Sequence, residues 1–172
     1  GNVTVAAPVT ANATAGRAGQ LAVNAAGTVT LAAGGQLSAS GGQGGGVVTV
    51  KGTTGVIFEA GAVVQASGAT GGTVSVEADA GGVTSQATID VTATDATGGS
   101  VDIVARDDIT LDISSRILAN GRAGGEMRME STAGTLLVSG LINGLGSNGP
   151  GGMVLLLAPR IALIRRSVVD VS

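Results

Sequence analysis

One short pattern recurs along the chain at nearly constant intervals, and it constrains the fold more than any other feature. Two small residues, usually both glycine, precede a segment in which apolar residues alternate with others. The second glycine of each pair is taken as a marker. The markers, whose spacing differs by no more than one position, are Gly19, Gly46, Gly72, Gly99, Gly125 and Gly152. A fixed period of this length indicates a repeat architecture in which each unit stacks on the next.

The residues after each marker have a two-residue period. Val74 and Val76 are apolar and Ser75 lies between them, and the other units repeat this arrangement. Such alternation is typical of a strand with one buried face. Each unit contains two further short alternating segments, such as residues 29–31 and 37–39, and turns such as SGGQGGG supply residues that tolerate positive φ. The chain is therefore predicted to be all-β, a β-solenoid with three short strands and about 26–27 residues per coil.

We expect residues 1–172 to form a single β-solenoid domain of about six to seven coils. The coils start near the six markers, and an earlier coil, shorter than the marker interval, starts near Gly1. Equivalent residues of successive coils should lie about 4.8 Å apart, which makes a rod about 30 Å long. The glycine pairs should mark a corner at which the backbone has no room for side chains.

The composition excludes several classes of function. The chain has no His and no Cys, which excludes Ser-His-Asp and Cys-His catalysis, an ordinary zinc site and disulfides. The net charge of −3 and the near absence of aromatic residues argue against nucleic-acid binding. The most apolar run, residues 153–164, is interrupted by Pro159 and is too short to span a membrane. We therefore predict no catalytic residues, no cofactor, no metal site, no nucleic-acid partner and no membrane span.

Three segments resemble the repeat body of filamentous haemagglutinin-type exoproteins, which are exported by two-partner secretion. They are GGxVxVxA, VTLAAGGQLSASGGQGGG and LLLAPRIALIRRSVVDVS. The resemblance implies a right-handed parallel β-helix, an outer-membrane secretion partner and a location outside the cell or on the bacterial cell surface. It also implies roles in adhesion, aggregation or biofilm, with a host-cell or matrix receptor. The chain has no Asn-Pro, so it matches the shaft of these proteins and not their export signal.

Few positions stand out as candidate contacts. Met153, Leu155 and Leu157 face outward in the last coil if the predicted register holds, and an exposed apolar row suggests a lateral or end contact. Arg160, Arg165 and Arg166 of the same coil are interpreted as a solvated edge, or at most as a contact to an acidic neighbour. Eight acidic residues in the middle of the chain are interpreted as solvated turn charges, since the calcium-binding nonapeptide does not occur. They are Glu77, Asp79, Asp90, Asp95, Asp102, Asp107, Asp108 and Asp112.

The leading hypothesis is a non-enzymatic structural or adhesive module, a shaft segment of an extracellular bacterial β-helical fibre. Because no polar cap is apparent at either end, a second hypothesis is a filament subunit that stacks its ends on copies of itself. In both, the partners are neighbouring coils or copies of the same protein. A third hypothesis is a polysaccharide-degrading β-helix enzyme. It would need acidic and basic residues clustered on adjacent coils of one face, and loop insertions that form a cleft.

Overall fold

A computed structural model describes residues 1–164 and 167–172. The chain forms a parallel β-solenoid of about six turns, with three strands in each complete turn. Equivalent strands of successive turns pair side by side, so the strands form three parallel sheets around one apolar core. This arrangement confirms the predicted all-β solenoid.

The first sheet has six strands, one after each marker. They are β3 (Gln20–Ala25), β7 (Val47–Gly52), β11 (Thr73–Ala78), β14 (Ser100–Ala105), β17 (Glu126–Ser131) and β20 (Met153–Leu157). The second sheet has seven strands. They are β1 (Val3–Val5), β4 (Thr28–Leu31), β8 (Gly55–Phe58), β12 (Gly82–Ser85), β15 (Ile109–Leu111), β18 (Thr135–Val138) and β21 (Arg160–Leu163). The third sheet also has seven. They are β2 (Pro8–Thr10), β5 (Gln36–Ser38), β9 (Val63–Gln65), β13 (Thr88–Asp90), β16 (Arg116–Leu118), β19 (Leu141–Asn143) and β22 (Val168–Asp170).

The pairing register confirms the predicted period and the predicted inward face. Val74 pairs with Val48 of the preceding turn and with Val101 of the next, one marker interval away in each direction. These three side chains are at most 1% exposed. Inward residues of successive turns therefore form continuous aliphatic ladders, while the residues between them face outward.

The corner between the second and third strands varies in length without disturbing this period. Four residues separate β8 from β9, but only Gln86 and Ala87 separate β12 from β13. The two missing residues return in the next corner, because Ile89 and Val101 are farther apart along the chain than the equivalent Val64 and Val74. The length change in one corner is thus offset in another, and the marker intervals of the two turns differ by only one residue.

The segment SGGQGGG, predicted to be a turn, is partly a strand. Residues Gly41–Gly44 form β6, which pairs with β10 (Gly68–Thr70) in the next turn. Isolated bridges continue this ladder, for example between Gly121 and Gly146. The corner between the third strand and the next first strand is long enough to extend and to hydrogen-bond to its neighbours.

The first turn differs from the prediction that placed a coil start near Gly1. Val3 pairs with Val29 and Val9 with Leu37, so β1 and β2 are a second strand and a third strand. The segment after Gly1 has the same apolar alternation as a first strand, and only the pairing distinguishes the two. The described part of the first turn therefore contains two strands, and the first sheet has one strand fewer than each of the other two sheets.

The marker glycines lie where backbones of adjacent turns approach closely, as predicted. A Cβ atom added to Gly99 would overlap the carbonyl oxygen of Gly72 and would lie 2.8 Å from Cβ of Val91. The other markers from the second complete turn onward also abut the carbonyl oxygen of the marker one turn earlier: Gly46, Gly72, Gly125 and Gly152. Left-handed φ occurs instead at Gly34 (79°) and Gly61 (84°), in the corner between the second and third strands. The lack of space for a side chain, and not a positive φ, explains why glycine occupies the marker positions.

Candidate interaction surfaces

The outer face of the first sheet presents the outward residues of six stacked strands. Because the strands are in register, the outward residues form six parallel rows. The rows are Gln20-Ala22-Asn24, Val47-Thr49-Lys51, Thr73-Ser75-Glu77, Ser100-Asp102-Val104, Glu126-Arg128-Glu130 and Met153-Leu155-Leu157. The face changes from mostly uncharged to charged and then to apolar along the solenoid.

Lys51 connects two turns on this face. Its Nζ atom lies 2.9 Å from Asp79 Oδ1 and 3.1 Å from Glu77 Oε2. Glu77 is opposite Lys51 in the paired strand, so the sheet register brings the two charges together. The hydrogen bonds to Asp79 and then to Glu77 raise the pKa of Lys51, and the hydrogen bond from Lys51 lowers the pKa of Asp79. The cluster ties β7 to β11.

Arg128 forms a second cluster farther along the same face. Its Nη1 atom donates a hydrogen bond of 2.9 Å to Asp102 Oδ1, and its Nη2 atom pairs with Glu130. Asp102 and Arg128 are directly opposite in β14 and β17. The side chain of Arg128 is 40% exposed, so this is a surface interaction and a modest one.

The acidic residues are therefore more than solvated turn charges, and that interpretation is corrected. Glu77 and Asp102 lie on strands and pair with a cation one turn away. Asp108 Oδ1 accepts a 2.7 Å hydrogen bond from the N–H of Thr135 in the next turn. The sequence contains the signal that would have found the pairs, since Lys51 and Glu77 are one marker interval apart. In the described part of the chain, no three acidic side chains are grouped so that they could hold a metal ion.

The last row is apolar and faces outward, as the predicted register requires. Met153, Leu155 and Leu157 are 53%, 39% and 39% exposed, whereas Val154 and Leu156 between them pack against the core. A contact made by this row stays a prediction. The predicted arginine edge is visible at one position: Arg160 is exposed at the start of β21, and Arg165 and Arg166 lie outside the described residues.

Comparisons with known proteins do not assign the chain to a family. No family model matches it, and neither the curated proteins nor the solved structures yielded a match. The resemblance to haemagglutinin-type exoproteins therefore depends on the sequence pattern, and the fold is compatible with it. Within residues 1–164 and 167–172, no helix is long and apolar enough to cross a membrane.

The Lys51 cluster predicts a pH-dependent contribution to stability. Asp79 has a folded pKa below its ordinary value of 3.8, so its contribution is present above that pH and is lost as the pH falls through the folded pKa. The pKa of Lys51 is raised above 10.5, so its contribution is lost at the opposite end, as the pH rises through the folded pKa. We expect Lys51→Gln to lower the melting temperature slightly at pH 7 and to have no effect at pH 2. Thermal melts of both proteins test this; an equal difference at both pH values would contradict the ion-pair explanation.

Proposed function

We propose that the chain is a non-enzymatic structural module, a shaft segment of an extracellular bacterial β-helical fibre that serves adhesion, aggregation or biofilm. The observation that carries the proposal is the unbroken stack of in-register turns around a single aliphatic core. A shaft must transmit force and hold its shape over its length, and this requires that no turn opens independently of its neighbours.

The core supports this requirement through its regularity. Among the residues that the structure describes, thirty form one buried cluster that extends from the second-sheet residue Val29 to the third-sheet residue Ile142. Phe58 is the only aromatic residue of the chain and is fully buried among them. Since inward side chains contact their equivalents above and below, removing one turn would expose the apolar faces of two others. Opening is therefore costly everywhere except at the ends.

Polar contacts between turns reinforce the stack. Ser115 donates a 3.1 Å hydrogen bond to Ser85 one turn earlier, and both serines are buried. This contact satisfies a polar residue at an inward position, where other turns carry apolar residues. Lys51 and Arg128 add their ion pairs on the outer face. Polar side-chain contacts thus join neighbouring turns both in the interior of the solenoid and on its outer face.

We expect hydrogen exchange to show this mechanical continuity. Amides of β11 and β14, in the middle of the first sheet, should exchange only through opening with a free energy close to that of global unfolding. Amides of β3 and β20, at the edges of the same sheet, should exchange much faster. Native-state exchange read by mass spectrometry or NMR measures both. Low protection in the central strands would show that turns open locally and would contradict a shaft that transmits force.

The enzyme hypothesis has one observation in its favour. The Lys51 and Arg128 clusters place basic and acidic residues on adjacent turns of one face, which a polysaccharide-degrading β-helix would need. In each cluster, however, the cation is hydrogen-bonded to carboxylates of this chain, and most corners between strands are short. We therefore retain a structural function as the proposal. The filament hypothesis has the same architecture and differs in one observable property, which is whether the isolated chain polymerises.

A further inference from the structure

We infer that two copies of this chain lie side by side with their axes antiparallel, and that they pair through the outer face of the third sheet. The inference rests on the proposed structural function and names a partner for it, since lateral pairing is a way for shafts to aggregate. It depends on the third to sixth turns, which begin at Gly46, Gly72, Gly99 and Gly125. Each of these four turns has a described turn on both sides.

The third-sheet face consists of the outward residues of β9, β13, β16 and β19. Because these strands pair in register, the residues form two rows along the solenoid. The rows are Val63-Thr88-Arg116-Leu141 and Gln65-Asp90-Leu118-Asn143. The face carries one acidic and one basic residue, so its charges are balanced, unlike those of the whole chain.

The charges of this face and its edge are separated between two adjacent turns. In the fourth turn Asp90 lies on the face and Asp95 lies at its edge, in the corner that follows the third strand. In the fifth turn Arg116 lies on the face, and Arg122 occupies the equivalent corner. Both arginines are exposed, and within the described residues neither forms an ion pair. One turn is therefore acidic and the next is basic.

An antiparallel second copy places opposite charges against each other. The two-fold axis runs along the strands, between the fourth and fifth turns, so the fourth turn of each copy faces the fifth turn of the other. Arg116 then lies opposite Thr88 of the second copy, two residues from Asp90. Packed sheets are about 10 Å apart and alternate residues about 6.6 Å, so the Cα atoms of Arg116 and Asp90 would be roughly 12 Å apart, within the combined reach of their side chains. The edge corners bring Arg122 towards Asp95, and the symmetry repeats both contacts.

The corners at the two edges of the face fit the same arrangement. The corner between the second and third strands has four residues in the third and fifth turns and two in the fourth and sixth. The corner after the third strand has seven residues in the third and fifth turns and nine in the fourth and sixth. In the antiparallel pair, a long corner therefore always faces a short one. Ile113, which is 59% exposed in a four-residue corner, would lie where the second copy is recessed at Gln86 and Ala87.

The third and sixth turns extend the contact on both sides of the axis. Val63 would face Leu141 of the second copy, and Gln65 would face Asn143, so apolar and polar residues are matched. The four turns form a face of about 20 Å by 20 Å, or about 400 Å² per copy, which is about half of what a stable dimer buries. We therefore expect a weak dimer whose stability depends strongly on its charges.

Charge variants of the full chain test the pairing. Arg116→Glu with Arg122→Glu makes both turns acidic, and Asp90→Lys with Asp95→Lys makes both basic. In sedimentation equilibrium we expect the wild type to dimerise as its concentration rises, and less so in high salt. Each double variant alone should dimerise at least about tenfold more weakly, because like charges then face each other. An equal mixture of the two should form a 1:1 heterodimer.

A matched control separates this face from net charge. Arg106→Glu with Arg160→Glu gives the same net charge as the acidic variant, but these exposed arginines lie outside the third-sheet face. This control should dimerise as the wild type does. Thermal melts of each variant report whether it is folded.

Thiol cross-linking tests the orientation, since the chain has no Cys. Val63→Cys and Leu141→Cys in one chain lie three strand spacings apart, about 14 Å, which is too far for a short bismaleimide to join them within that chain. In the antiparallel pair the two positions face each other, so the reagent should give a covalent dimer. Each single variant is a control, because its cysteine is equally far from its equivalent in the second copy.

The inference is overturned if the wild type stays monomeric at every concentration, if the acidic variant dimerises as well as the wild type, or if the mixture forms no heterodimer. It is also overturned if the double cysteine variant gives no more covalent dimer than the single variants. These failures would leave the exchange pattern that tests the shaft unchanged. Low protection of the central strands would contradict the shaft without affecting the pairing.

Discussion

Replacing Val76 with Asp is expected to prevent folding at neutral pH. Val76 is fully buried, and it pairs with Val50 of the preceding turn and Ile103 of the next. A carboxylate at this position has aliphatic neighbours above and below and no cation in reach of the inward ladder. An unpaired buried charge together with the lost packing should cost at least about 4 kcal/mol. Circular dichroism melts in heat and in urea measure the loss. Because burial raises the pKa of the new carboxyl, the loss should be smaller at pH 4 than at pH 7.

Outward positions of the same strands provide the controls. Ser75→Asn changes the residue next to Val76, and Thr49→Asp introduces the same carboxylate on the outer face near Lys51. Both should change the free energy of unfolding by no more than about 0.5 kcal/mol. If Val76→Asp and Thr49→Asp melt at the same temperature, the assignment of inward and outward faces in the first sheet is wrong.

Replacing Gly99 with Ala is expected to destabilise the chain by about 3 kcal/mol or more, because overpacking against backbone leaves few ways to relax. The added methyl group would overlap the Gly72 carbonyl oxygen and crowd Val91. The adjacent turns would have to move apart at the corner, which would also strain the Ser100 N–H bond to the Gly72 carbonyl oxygen, now 2.9 Å. Urea denaturation measures the effect, and hydrogen exchange should show increased opening around β11 and β14.

Gly16 provides a matched substitution. A Cβ atom added there meets no atom within 4 Å, so Gly16→Ala should change the stability by about 0.5 kcal/mol or less. The same methyl group is thus harmless at one glycine and disruptive at another. Equal stability of the Gly99→Ala and Gly16→Ala proteins would refute the explanation that close backbone approach requires glycine at the markers.

The repeat could be predicted from the sequence because its signals, apolar alternation and glycine pairs, are local patterns of adjacent residues. Alternation identifies a strand with one buried face, and the marker interval identifies its partner. The register of the first sheet follows from these two facts, and the structure pairs Gln20 with Val47 as the interval predicts. Three strands show this alternation only weakly in their sequence. Strand β12 has Ser85 at an inward position, and in β18 and β19 the outward Leu137 and Leu141 are as apolar as their inward neighbours.

The Lys51 and Arg128 clusters are not evident in the local sequence for a different reason. Glu77 and Asp102 have other acidic residues near them along the chain, whereas the cations with which they pair are one turn away. A contact across turns depends on which outward residues lie opposite each other in paired strands. These pairs can be identified only when the pairing register is applied to the outward residues as well as to the core residues. The clusters belong to the outer face that ends in the apolar row, so the candidate interaction surface was only partly predictable.

By itself, the sequence determined the all-β class, the three strands of a turn, the turn length and the inward ladders, because each of these depends on a local pattern repeated at a constant interval. Only the tertiary structure decided which strand type begins the first turn, how corner lengths offset one another, and which charges meet on the outer face. These depend on pairing between segments that are distant along the chain. The alternation in residues 3–5 suits any of the three sheets, and the hydrogen bonds to β4 select the second.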